Sequence, residues 1–183
     1  MAIRRVFTKD EPVLRKTCRE VEGFNQRLWV LLDDMRETLE KGNGVGIAAS
    51  QVGILRRIVL VTIFRDAEGN DEDGGTVVEL INPTVSDESG EQYGLEGCLS
   101  CPDQWGYVKR PKKCTIKAVD RHGEPFEMIV EDMSCRCTLH EIDHIDGILF
   151  TSLVDRWATP EEMRDEKKKR SKRRKRRRAA QGK

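Results

Sequence analysis

The stretch TLHEIDHIDG (residues 138–147) limits the possible folds more than any other part of the chain. In a helix, His140 and His144 are one turn apart and share a face. Apolar residues occupy other sides of the same helix: Leu139, Ile142 and Ile145. A helix that is apolar on several sides must be covered by other elements. We therefore predict a largely buried helix from about Ser134 to Asp146, ended by Gly147.

The same stretch has the pattern H-E-x-x-H, which is typical of metal sites. Two imidazoles on one helix face can bind one ion, and Glu141 beside them can serve as a general base towards water. The alternative is a solvated acidic helix whose two histidines bind nothing. The apolar neighbours argue against that alternative, because buried imidazoles and carboxylates need partners. We therefore predict metal ligands at His140 and His144.

A catalytic metal site needs a third protein ligand and an open coordination position. Cys98 is the candidate, because the segment GCLS (97–100) is expected to be extended and a thiolate binds Zn²⁺ or Fe²⁺ well. In one alternative, Cys98 and Cys101 form a redox pair, but the strand and helix that flank such a pair are missing from the pattern. In the other, both join Cys135 and Cys137 in a four-thiolate zinc site.

The four-thiolate site is disfavoured, because residues 135 and 137 point about 200° apart on a helix. Packing roles are expected for the cysteines other than Cys98, which are Cys18, Cys101, Cys114, Cys135 and Cys137. Cys137 precedes His140 by about one turn and can line the wall of the site without binding the metal.

Periodicity and turn residues predict the remaining elements. Helices are expected from the cap residue Asn25 to Gly42, and from Pro160 after the capping box TPEE (159–162). Strands are expected at RIVLVTIF (57–64), at TVVELI (76–81, stopped by Asn82-Pro83), at CTIKAVD (114–120) and at FEMIV (126–130). The glycine-rich GNGVGIAASQ (42–51) is expected as a loop or edge segment, and residues 65–75 as an exposed loop. This order favours an α+β fold, with mostly antiparallel β-sheets packed around a central metal-binding helix and with a C-terminal helix.

Charge divides the chain into two parts. Twelve of its 33 basic residues lie after residue 166, and all 32 acidic residues lie before 167, so residues 1–166 carry a formal net charge of −11. The segment KKKRSKRRKRRR (167–178) cannot enter a core, and alone it is expected to be frayed or disordered. Such a segment is either a solubilising tail or an arm that binds RNA phosphates.

The N-terminal sequence MAIRRVFTKDEPVL has no apolar run that would serve as a signal peptide. The chain has no apolar run of membrane-spanning length either. We therefore expect a cytoplasmic protein whose six cysteines are reduced, and no membrane partner.

Three stretches together resemble the peptide deformylase family: GVGIAASQ (44–51), EGCLS (96–100) and HEIDH (140–144). The resemblance begins near the N-terminus and extends to about residue 157. It implies a catalytic domain at residues 1–158, followed by a C-terminal helix and basic tail at 159–183. The implied activity is removal of the formyl group from the N-terminal formylmethionine of newly synthesised proteins, with release of formate.

The resemblance also implies the roles of the site residues. The metal ligands would be Cys98, His140 and His144, and Glu141 would be the catalytic acid and base. The side-chain amide of Gln51 and the backbone N–H of Leu99 would donate hydrogen bonds to the oxyanion. The metal would be one divalent ion, Fe²⁺ by resemblance, although Zn²⁺, Ni²⁺ and Co²⁺ suit the same ligands.

Substrate binding is expected beside the metal. Gly44 and Gly46 would let a peptide lie close to the backbone, as an added strand. Val45, Met133 and Cys137 are candidates for the pocket that receives the methionine side chain, with ordinary core packing as the alternative for each.

Two other functions remain open from the sequence. One is an H-E-x-x-H metallopeptidase, which the Cys98 ligand and the Gln51 segment disfavour. The other is an RNA-binding module in which the metal is structural. Expected partners are formylmethionyl nascent peptides and, through the basic tail, the ribosome and its rRNA; the protein is expected to be a monomer.

Overall fold

The computed structural model describes residues 2–71 and 74–181, and these form two antiparallel β-sheets and three α-helices. The helices are α1 (Gln26–Gly42), α2 (Asp132–Ile145) and α3 (Pro160–Gln181). The strands are β1 (Gly46–Ala48), β2 (Ile58–Ile63), β3 (Thr76–Ser89), β4 (Gln92–Cys98), β5 (Cys101–Arg110), β6 (Lys113–Val119), β7 (Pro125–Glu131) and β8 (Arg156–Trp157). The predicted α+β class is confirmed.

The larger sheet has the strand order β1-β2-β3-β6-β7 and is covered by a helix on each face. Strand β2 is apolar throughout because its side chains alternate between these two faces. Ile58 and Leu60 pack in one core cluster with the apolar residues of α1, whereas Val59 and Val61 pack in another with those of α2. The predicted strand and the predicted first helix are both confirmed.

Helix α2 is buried on nearly all sides, as its sequence predicts. Its apolar residues Cys135, Leu139, Ile142 and Ile145 pack on the larger sheet. Its other side meets the smaller sheet, which has the order β4-β5-β8, through contacts such as Arg136 with the backbone of Gly94 and Val108. The helix that carries H-E-x-x-H is therefore the central element of the fold.

Helix α1 begins and ends where the sequence predicts. The Asn25 side chain accepts a hydrogen bond from the backbone N–H of Arg27, and Asn43 ends the helix in the left-handed conformation. The next segment is partly an edge strand, β1, followed by a short 3₁₀ turn over Ala49–Val52.

One predicted strand is longer than expected, and strands β4, β5 and β8 were not predicted. The strand expected to stop at Asn82-Pro83 continues to Ser89 as β3, and a shift in its pairing with β6 between Ile81 and Thr84 accommodates the interruption. Asn82 has a positive φ of 51°, and its side chain bonds to the backbone of Val21. In β5, Pro102 is the second residue of the strand, a position where proline is tolerated.

Helix α3 starts at the predicted capping box. The backbone N–H of Glu162 donates to the Thr159 hydroxyl, and the Glu162 carboxylate accepts from the backbone N–H of Thr159. The helix continues through the basic segment to Gln181, where the sequence analysis expected fraying or disorder. Lysine and arginine are good helix formers, and no glycine or proline follows Pro160 within the helix. The division of the chain at residue 159 stays a prediction.

Within residues 2–71 and 74–181, no helix combines the length and the apolar character that crossing a bilayer requires.

Candidate metal centre

The structure brings Cys98, His140 and His144 together. One potential ligand atom from each lies within 4.8 Å of the others. The Cys98 Sγ is 3.1 Å from the His144 Nε2, and the two imidazole rings are 5.1 Å apart between centroids. Among the described residues this is the only group of three or more such side chains able to share one ion.

Two elements hold these ligands in place. The histidines lie one turn apart on the buried helix α2, and both are less than a tenth exposed. Cys98 is the last residue of β4, directly before the tight turn that leads into β5 at Cys101. The turn holds the thiol against the helix, because Ser100 donates its backbone N–H to the Cys98 Sγ at 3.4 Å.

Several features fit a divalent metal ion at this point. One thiolate and two imidazoles are suitable ligands for Zn²⁺, Fe²⁺, Co²⁺ or Ni²⁺. Burial, together with the neighbouring His140, lowers the pKa of His144 well below its usual value, so the imidazole is neutral, as a metal ligand must be. The buried Oε2 of Glu141 has no hydrogen-bond partner among the described residues, and a metal with its water would satisfy it.

Glu96 orients the first histidine. Its Oε2 accepts a hydrogen bond from the His140 Nδ1 at 2.9 Å, which leaves the Nε2 lone pair for a metal. Arg110 binds both carboxylate oxygens, at 3.0 and 3.1 Å, and Arg136 donates to Oε1 at 2.8 Å. Arg110 also reaches Asp143 at 2.6 Å. We name this set of Glu96, Arg110, Arg136 and Asp143 the buried ion network.

The carboxyl of Glu141 is suited to move a proton. Burial raises its pKa to about 7, so both protonation states are accessible near neutral pH. A bound cation would lower this pKa again, because it favours the charged carboxylate. The side chain also lies against the backbone of Gly46 in the edge strand β1. Glu141 therefore stands between the helix that carries the histidines and the glycine-rich segment.

Gln51 is fully buried and fixed at both ends of its amide. Its Oε1 accepts the backbone N–H of Ala48 at 2.8 Å, so the NH₂ group must face the other way. That group donates to the Ser100 hydroxyl at 3.1 Å and lies 3.4 Å from the Cys98 Sγ. Leu99 follows Cys98 in the same turn. Both residues proposed to donate to an oxyanion thus adjoin the cysteine ligand.

The expected substrate residues are placed in two groups. Gly44 and Gly46 flank Val45 at the start of β1, beside Leu99 and Glu141 respectively. Val45, Met133 and Cys137 pack in the same core cluster, which accords both with a pocket for methionine and with ordinary packing. Their role in binding methionine stays a prediction.

The other cysteines are buried and form no disulfide in the part of the chain that the structure describes, as expected for packing thiols. Cys114 and Cys135 approach each other to 3.5 Å between sulfurs.

No residue of the buried ion network was predicted from the sequence, although Glu96 lies in the stretch EGCLS (96–100). One signal could have revealed the network: Arg136 lies one turn before His140 on a helix predicted to be buried, and a buried guanidinium needs a carboxylate.

Comparison with known proteins identifies similar chains over most of this sequence. Residues 3–159 match the family model described as polypeptide deformylase. A peptide deformylase of Caldicellulosiruptor bescii is 42% identical over 167 residues, which cover 91% of this chain and 95% of the relative. Peptide deformylase 1 of Bacillus subtilis is 39% identical over 165 residues, which cover 90% and 98% respectively.

Solved structures of peptide deformylases have the same fold as this chain. A peptide deformylase from Legionella pneumophila superposes with a TM-score of 0.75 at 34% identity, covering 93% of this chain and 95% of that one. The class I type b peptide deformylase of Acinetobacter baumannii, in its Met-Ala-Ser-bound crystal structure, gives a TM-score of 0.76 at 30% identity, with 84% and 99% coverage.

Proposed function

The chain belongs to the polypeptide deformylase family, and from this premise we propose that Cys98, His140 and His144 hold its catalytic metal while Glu141 carries the proton. The family reaction is hydrolysis of the formyl group from the N-terminal formylmethionine of newly synthesised proteins, with release of formate. The chain is a hydrolase of this kind. The metallopeptidase and RNA-binding alternatives are not favoured, because the family match covers residues 3–159.

One observation carries the assignment of roles. The Glu141 carboxylate is buried, has an oxygen without a hydrogen-bond partner among the described residues, and interacts electrostatically with the ligand candidates Cys98 and His140. A divalent ion bound there would lower the pKa of a water molecule and polarise the formyl carbonyl. Glu141 accepts the proton of the attacking water and returns it to the amine that leaves. Burial favours the protonated carboxyl that exists between the two transfers, and the bound ion would favour the carboxylate that begins and ends them.

The other site residues stabilise charge and position the peptide. The Gln51 NH₂ group and the Leu99 N–H donate hydrogen bonds to the oxygen that becomes negative as the formyl carbon turns tetrahedral. Gly44 and Gly46 leave room for the peptide backbone, and Val45, Met133 and Cys137 receive the methionine side chain. The relative from Acinetobacter baumannii has been crystallised with Met-Ala-Ser bound, which supports a site for such a peptide.

Formate release from formyl-Met-Ala-Ser tests these roles. The Glu141→Ala variant is expected to lose about 10²- to 10⁴-fold in kcat while it keeps its metal, because Glu141 is not a ligand. Glu127→Ala, a change at an exposed ion pair with Lys117, is the matched control. Metal-loaded wild-type protein that releases no formate would refute the function, and a fully active Glu141→Ala variant would refute only the role of Glu141.

We propose Fe²⁺ as the metal in the cell, on the strength of the family. Affinity order alone would favour Zn²⁺ over Fe²⁺, so the ligands do not decide the question. Metal analysis after anaerobic purification tests this, and zinc as the dominant metal in the active fraction would contradict it.

We also propose that the basic part of α3 binds rRNA, so that the enzyme meets chains as they leave the ribosome. The support is its charge, which can neutralise phosphates and release counterions. Co-sedimentation of the wild-type protein with ribosomes should decline as the salt concentration rises. Replacing the five arginines among residues 173–178 by glutamine should abolish this co-sedimentation. Equal binding by both proteins would contradict the proposal.

The cell compartment and the oligomeric state follow from the same picture. We propose that the protein acts in the cytoplasm, because its substrate is a newly made chain and its six cysteines form no disulfide in the described structure. We propose that it is a monomer, because all site residues come from one chain. Light scattering and cell fractionation test these two points.

A further inference from the structure

A cavity of about 370 Å³ opens between the turn that carries Cys98 and the C-terminal helix α3. The residues that define it come from three separate segments: Gly42, Asn43, Leu99, Trp105, Lys167 and Ser171. Cys98 itself also lines it. The first turns of the basic helix thus form one wall of a cavity that begins at a metal ligand.

The cavity lies where a substrate must pass. In the proposed function, the peptide lies between the segment at Gly44–Gly46 and the turn at Leu99. Gly42 and Asn43 directly precede the first of these, and Leu99 belongs to the second. The residues that follow the formylmethionine therefore leave the metal site along this cavity and meet α3.

Among the side chains of α3 that the structure describes, Lys167 is the basic one that lines the cavity. Its Nζ lies 2.9 Å from the Asp103 Oδ1, and both side chains are more than half exposed. Such an exposed pair contributes little stability, so a carboxylate from a ligand can replace Asp103 at small cost.

The cavity borders the most basic stretch of the chain. Lys167 and Ser171 lie at the start of the segment 167–178, in which every residue except Ser171 is basic. The body of the protein is acidic by contrast, so the cavity is where an acidic peptide finds attraction.

We propose that α3 is a wall of the substrate cleft and that Lys167 selects acidic side chains at the second to fourth positions of the formylmethionyl peptide. This inference rests on the proposed function and adds to it a substrate class. Lys167 is a specificity-determining residue here, with no part in the chemical step.

Three peptides test the inference with full-length, metal-loaded protein: formyl-Met followed by three glutamates, three alanines or three lysines. At low salt, wild-type kcat/KM is expected to be about fivefold or more higher for the glutamate peptide than for the lysine peptide, and the ratio falls as salt screens the charges. Lys167→Glu should lower the ratio about two- to fivefold, whereas Lys167→Arg should keep it. Asp103→Asn, which removes the competing carboxylate, should raise it.

Lys117→Glu is the matched control, because Lys117 is an exposed lysine of β6 that pairs with Glu127 outside the cavity. If this control shifts the ratio as much as Lys167→Glu, the effect is one of net charge, and the role of Lys167 is refuted. Equal rates for the three peptides, or a ratio unchanged by Lys167→Glu, also overturn the inference while leaving formate release intact. Absence of formate from all three would instead overturn the proposed function.

Discussion

Gly46 and Glu141 are in direct contact: a β-carbon built on Gly46 would lie 2.5 Å from the Glu141 Oε1 and 2.6 Å from its Cγ. The backbone of the edge strand β1 thus forms the surface against which the carboxylate of Glu141, the proposed proton carrier, packs. Any side chain at position 46 must push the carboxylate away, because three atoms of Glu141 are too close to accommodate it.

Gly46→Ala is therefore expected to lower kcat by about 10- to 100-fold, since small displacements of a catalytic group have effects of this size. The loss of folding free energy should be about 1–3 kcal/mol, as for other overpacked sites. Formate release, metal content and chemical denaturation measure the three quantities. Metal content should be unchanged, because Glu141 is not a ligand.

Gly23→Ala is the matched glycine control. A β-carbon there meets only the Asn25 Nδ2, at 3.3 Å, and Gly23 is exposed. It should leave kcat unaffected. A Gly46→Ala variant with wild-type kcat would show that Glu141 can work from another position.

Glu96→Gln tests the buried ion network. The change leaves the buried guanidiniums of Arg110 and Arg136 without their shared counter-ion and weakens the acceptor for His140. We expect the free energy of unfolding to fall by about 3–5 kcal/mol and metal affinity to fall by about 10- to 100-fold. Denaturation and competition with a chelator measure the two effects.

Glu127→Gln serves as its control, because this exposed ion pair should contribute at most about 1 kcal/mol. If Glu96→Gln binds metal as tightly as the wild type, Glu96 does not orient His140.

Gln51→Glu removes the proposed oxyanion donor with little change of shape. One carboxylate oxygen can still accept the Ala48 N–H, while the NH₂ group that faces Cys98 is replaced by an acceptor. We expect kcat to fall by about 10²- to 10³-fold, the effect of losing one oxyanion donor. Ser100→Ala, which removes only the partner of that NH₂ group, should cost less than about tenfold. Equal losses in the two variants would argue that Gln51 acts by packing alone.

The three candidate metal ligands, which the structure brings together, could be proposed from the sequence because most of the information is local. His140 and His144 follow helical periodicity, and the apolar residues around them indicate burial without knowledge of the tertiary fold. Cys98 and Gln51 lie far from them in sequence, and only the resemblance of three stretches linked them. The structure agrees, with the Gln51 amide 3.4 Å from the thiol of Cys98.

Features that depend on pairing between distant segments could not be predicted. The buried ion network joins β4, β5 and α2, and nothing local reveals that Arg110 and Arg136 converge on Glu96. Strand β3 likewise passes a local stop signal at Asn82-Pro83, because pairing with β6 and the bonds of Asn82 to Val21 stabilise the irregular backbone.

Glu79 provides a test of stability against pH, away from the active site. Burial raises the pKa of Glu79, but hydrogen bonds from Arg121 and Arg36 more than offset this, so its pKa lies below the ordinary 4.5. The folded state therefore favours the charged form of Glu79. The contribution of this charge to the free energy of unfolding is fully present above pH 4.5 and is lost as the pH falls through the lower folded pKa. At pH 7, Glu79→Gln should reduce the free energy of unfolding by about 1–2 kcal/mol after allowance for solvent screening.

Urea denaturation of wild type and Glu79→Gln at pH 7, at pH 5 and below pH 4 measures this difference. It should be similar at the two higher pH values and shrink at the lowest, because protonation then removes the charge from Glu79 in the wild type as well. Glu88→Gln, at an exposed position of the same strand, should show little difference at pH 7. A difference between wild type and Glu79→Gln that grows on acidification would contradict the assignment, because it would mean that the folded state prefers the protonated carboxyl.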